Sequence, residues 1–154
     1  MVVFALKYFT DLKYGWAKLN LGNFTCNCSY IQDIPMCILK AWEDFKKNKY
    51  CRIFIDSEGY ENEIIISDIG IHAVKYHNFT YYENLIKYFE TFKDRVKLLQ
   101  DLVIDIVSNA DEWARWLCLT DPDTECYDKI INEYKRTIIE YADKIGIEYY
   151  SNNY

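Results

Sequence analysis

Glycine, proline and histidine are scarce in this chain of 154 residues: it holds five, two and two of them. Each scarcity removes a class of chemistry. Gly15, Gly22, Gly59, Gly70 and Gly146 all fall where a turn or the end of an element is expected, which leaves none for a glycine-rich phosphate loop. Pro35 and Pro122 each suit the first turn of a helix, where a missing N–H costs nothing. His72 and His77 are too few to complete a four-ligand zinc set with scattered cysteines. One C-x-C occurs, Cys26-Asn27-Cys28, with no C-x-x-C, H-E-x-x-H or G-x-S-x-G to accompany it, so no metal, cofactor or catalytic residue is expected. No apolar run approaches the roughly 20 residues that cross a bilayer, so no membrane segment is expected. The apolar opening, residues 1–6, meets Lys7 and is too short for a signal sequence. The expectation is a cytoplasmic chain with its six cysteines reduced. Basic residues are also in deficit, 18 Lys and Arg against 24 Asp and Glu, for a net charge of −6. That balance argues against nucleic acid and against an anionic membrane surface.

What is present is an ordinary globular composition, 51% hydrophobic and 27% charged. It fits a single domain over residues 1–154. Residues 1–80 read as sheet-rich with one helix, and residues 81–146 as a helical hairpin. Residues 2–9 and 14–21 are β-prone, with a hairpin loop expected over residues 10–13. Asp33 is placed to cap a helix over residues 34–47, whose Ile34, Ile38, Leu39, Trp42 and Phe45 share one face. Strands over residues 50–55, 61–67 and 71–76 follow, with Asp56-Ser57-Glu58-Gly59 turning between the first two. The fold class is therefore α+β: a mostly antiparallel sheet of about five strands packed by helices.

The second half carries heptads. From Leu85 the apolar positions run through Phe89, Phe92, Val96, Leu99, Val103, Ile106, Ala110, Trp113 and Leu117, alternating steps of four and three. Thr80 and Glu83 form a capping box ahead of them. An unbroken helix over residues 81–118 would reach about 57 Å, so a bend near Ser108 and Asn109 or an overhang is expected. Asp121 and Pro122 are placed to start the next helix, with Tyr127, Ile131, Tyr134, Ile138, Tyr141 and Ile145 on one face and Gly146 at its end. Two heptad helices so joined pack as an antiparallel hairpin. A homodimer seam is the other use of the same rows.

Charge is uneven along the chain. Residues 1–80 hold nine basic and nine acidic residues, and residues 81–154 hold nine and fifteen. The whole excess lies on the helical half. Its candidate contact residues are Asp111, Glu112 and Trp116 on the long helix and Asp121, Asp123 and Glu125 after it, a surface suited to a basic protein partner. Core packing of the tryptophans and macrodipole stabilisation by the acids are the plainer explanations.

Gly15-Trp16, then Ser29-Tyr30-Ile31-Gln32-Asp33, an apolar helix and the 56–59 hairpin resemble a group of small acidic bacterial proteins without assigned activity, many of them similar to immunity proteins of polymorphic toxin systems. The resemblance covers roughly residues 14–67. It implies a stand-alone, non-catalytic protein and assigns no functional residues. The expected function is thus a protein-binding, immunity-like module. The alternatives are a small enzyme built on Cys and His, or an acidic nucleic-acid mimic or regulator.

Overall fold

The computed structural model describes residues 7–22, 24–67, 70–77, 86–89 and 95–146. Among these, two antiparallel sheets and four helices enclose one hydrophobic core. The first sheet is the meander β1 (Phe9–Lys13), β2 (Trp16–Leu21) and β3 (Phe24–Ser29). Alternation sets its buried face: Ala17, Leu19 and Leu21 lie opposite Cys28, Cys26 and Phe24, and all six are buried. Helix α1 (Ile34–Asn48) follows. The Asp33 side chain accepts the Met36 N–H at 3.1 Å, Pro35 sits in the first turn, and Lys49 closes the helix at φ +56.

The second sheet has four strands in chain order, β4 (Cys51–Asp56), β5 (Tyr60–Ser67), β6 (Gly70–His77) and β7 (Ile86–Phe89). Ile53, Ile64 and Ala73 stack across its core face, as do Cys51, Ile66 and Ile71. Helices α2 (Arg95–Ser108), α3 (Ala110–Leu117) and α4 (Tyr127–Ile145) complete the molecule. Helix α4 packs on α3, α2 and α1. The heptad residues Leu99, Val103, Ile106, Ala110 and Trp113 are buried inside the chain, so those rows serve its own core.

Several expectations need correction. A single five-stranded sheet is replaced by sheets of three and four strands. Strands β3 and β4 approach each other, but side chains make the hydrogen bonds there. Ser57 donates to the Asn27 carbonyl, Lys75 donates to the Thr25 carbonyl at 3.2 Å, and the Gln32 amide accepts the Asp56 N–H at 2.9 Å while donating to Phe54 O. The expected loop over residues 10–13 is strand: Asp11 takes up a bulge at φ +58, and the ladder to β2 resumes at Lys13. The expected strand over residues 2–9 lies mostly outside the described residues.

The long helix starts later than expected, and it bends where expected, near Ser108 and Asn109. Residues 86–89 pair with β6 as a strand, because the sheet edge outweighs helical spacing, and α2 begins at Arg95. The Thr80–Glu83 box lies outside the described residues. The break falls at Asn109, whose amide folds back to the Asp105 carbonyl at 2.8 Å. Asp121 caps a turn rather than a helix: its carboxylate accepts the Asp123 N–H at 2.9 Å, and α4 starts only at Tyr127. Gly146 ends α4 at φ +76, as expected.

Candidate functional site

The site is a groove where the β1–β2 turn meets α3. Tyr14 and Gly15 form this turn with φ of +54 and +78, the primed geometry that matches strand twist. Glycine is required at the second position for two reasons. Its φ is left-handed, and a Cβ there would lie 2.6 Å from Tyr30 Cδ1. The Tyr30 ring therefore lies directly on the turn, and its N–H donates to the Gly15 carbonyl at 2.9 Å. Lys13 Nζ sits 4.8 Å from the centre of the Tyr14 ring.

Across the groove, α3 is held by an aromatic series. Phe9 meets Trp113 edge-on at 5.1 Å, and Trp113 meets Trp116 edge-on at 5.2 Å. Trp116 Nε1 donates to the Trp16 carbonyl at 3.0 Å, which ties α3 to β2. The open groove between these walls offers about 520 Å³, lined by the turn, Tyr30, Glu112, Arg115, Trp116, Cys118 and Leu119. Its lining and the adjacent chain positions carry exposed aromatic and apolar side chains. Tyr14 is 87% exposed and Leu119 78%, and Trp16, Tyr30 and Ile31 are exposed as well.

The candidate contact residues divide between this groove and the loop after it. Glu112 and Trp116 line the groove, Trp116 as a buried floor. Glu112 lies 3.7 Å from Lys7 Nζ. Asp111 is spent on Arg115 at 2.9 Å, and this contact, with the Tyr127 hydroxyl, holds the guanidinium above its ordinary pKa. Asp121, Asp123 and Glu125 are exposed in the loop that follows Leu119, and no described ion pair uses any of the three. Sequence reasoning missed Lys13, Tyr14, Tyr30 and Leu119. Gly15 directly after an aromatic residue is the one local signal, and the groove itself exists only through the packing of α3 on β1.

Cysteine chemistry is disfavoured at Cys28, Cys37 and Cys51 by the surroundings of those three thiols. Hydrogen bonding to Cys26 and burial push the Cys28 thiol far up, burial raises Cys51 to about 12, and burial also raises Cys37. Protonated buried thiols are poor nucleophiles and poor metal ligands. His72 faces the side of the second sheet opposite Cys51, because its neighbour Ile71 shares a face with Ile66 and Cys51. The His77 side chain lies outside the described ones. Among the described residues no three His, Cys, Asp or Glu side chains gather as a metal-binding group, and no helix is long and apolar enough to cross a membrane. No protein-family model, curated protein or solved structure matches the chain.

Proposed function

We propose that this protein is a non-catalytic, cytoplasmic protein-binding module, immunity-like in kind, which docks a basic partner at the α3 end of the molecule. The observation that carries the reading is the set of exposed aromatic and apolar side chains on the groove lining, Tyr14, Tyr30 and Leu119, with Trp16 and Ile31 exposed at the next positions along the chain. Isolated exposed apolar residues are ordinary, but a cluster around a concave surface marks an interaction site. Tyrosine and tryptophan are also the residues on which binding energy concentrates. The carboxylates of Asp121, Asp123 and Glu125 adjoin this lining through Leu119, and a basic partner is drawn to them from a distance.

The test is a pull-down from the source cell at low and high salt, comparing wild type with Leu119→Asp. The expected result is a basic protein retained at low salt, weakened at high salt and lost with the variant, followed by calorimetric titration with that protein once purified. Equal retention by the variant, or no retention at either salt, contradicts the reading.

A further inference from the structure

We infer that the groove also accepts a second copy of this chain, with Tyr14 of each protomer seated in the groove of the other. The inference rests on the reading of this end as a docking surface. Its first support is the backbone at the turn. Position 14 has φ +54, which glycine, asparagine and aspartate adopt far more readily than tyrosine. Among the described contacts the Tyr14 ring meets only the Lys13 ammonium, and it is 87% exposed. A strained position occupied by a large exposed ring gains little inside the protomer, and such strain collects where a residue acts on something outside.

The second support is shape. Knob and hole lie in the same patch, as a two-fold interface demands, since the same surface must serve both subunits. The groove is open to solvent and offers about 520 Å³, which is room for a phenol ring. The turn is also rigid. The Tyr30 ring and the Tyr30 N–H hold it at Gly15, and the Trp116 indole holds the next residue, Trp16, so little backbone freedom is lost on docking.

The third support is charge. The chain as a whole carries −6, which opposes self-association, yet the groove lining holds Lys13 and Arg115 against Glu112. Arg115 is already paired with Asp111, and Glu112 is held only loosely by Lys7, at 3.7 Å. Lys13 and Glu112 are thus opposite charges on one groove lining, and the proposed two-fold pairing would offer Lys13 of each copy to Glu112 of the other. A second copy and a basic partner then compete for this end of the molecule.

Analytical ultracentrifugation of the full chain tests the inference, over roughly 1 μM to 1 mM. The expected result is a monomer–dimer equilibrium. Lys13→Glu and Glu112→Lys should each weaken it by about tenfold or more, and the double variant should recover it. Tyr14→Gly should abolish it while leaving the thermal midpoint unchanged or higher, which separates lost docking from lost folding. A wild-type monomer at every concentration overturns the inference. So does a dimer that ignores all three changes. Either outcome concerns the purified chain alone and leaves the partner pull-down to decide the binding-module reading separately.

Discussion

Asp105 shows how much of this fold hangs on single polar atoms. Its side chain, 1% exposed on α2, accepts the Phe9 N–H at 2.8 Å and the Asn109 amide at 3.0 Å. One carboxylate thereby covers the outer edge of β1 and braces the α2–α3 break. Asp105→Ala leaves a buried N–H unpaired and should cost about 2–3 kcal/mol in urea unfolding. Burial raises the Asp105 pKa, while the Phe9 and Tyr8 N–H groups, Lys7 and Asn109 pull it down. The folded state therefore holds this proton more tightly than the unfolded chain does. Its contribution to stability is fully present below the unfolded value, near 3.9, and is lost as pH rises through the folded value. The stability advantage of wild type over Asp105→Asn should accordingly shrink from acid toward neutral pH in unfolding curves. At the turn, Gly15→Ala drives a methyl into the Tyr30 ring at a left-handed φ and should cost at least about 1–2 kcal/mol. The same change should reduce binding at the groove.

At the scale of elements, the junction between the two sheets is made by side chains that stand in for a strand. Gln32 takes one N–H and one carbonyl from β4, and Ser29 Oγ donates to Glu58 at 2.6 Å across the β4–β5 turn. Gln32→Ala should destabilise the protein by about 1–3 kcal/mol. Hydrogen exchange should show protection lost at the Asp56 amide while the β5–β6 ladder keeps its own. This junction also explains what sequence could not show. The α1 helix, its Asp33 cap and the β4–β6 meander are legible because their signals are local: a cap, a period of 3.6, an alternation and a turn glycine. Strand β3 is harder to read, because its outward positions are Thr25 and Asn27 and its inward ones include two cysteines. Strand β7 is hidden by a genuine heptad spacing that β6 overrides by pairing. In the site, Trp116 and Glu112 follow from helical position on α3. The role of Tyr14 depends on Tyr30 and α3, which are distant in sequence.

Across the whole molecule, the charge asymmetry has a structural counterpart. The acidic half is not a continuous negative face: Asp111, Asp101 and Glu112 are each met by Arg115, Lys97 and Lys7. The carboxylates left over at the groove end belong to the loop of residues 121–125. Neutralising them as Asp121→Asn, Asp123→Asn and Glu125→Gln together should slow association with a basic partner and flatten its salt dependence. Dissociation should change much less, which stopped-flow kinetics at two ionic strengths would show.

On the proposed reading, the Tyr14–Leu119 end is where this protein is met by another chain. The most direct measurement places a photo-crosslinking phenylalanine analogue at position 14, in the source cell, with the same analogue at position 134 on α4 as the comparison. Tyr134 is an exposed aromatic that does not line the groove. The predicted result is an adduct from position 14 and none from position 134. Adducts from neither, or from position 134 in preference, would contradict it.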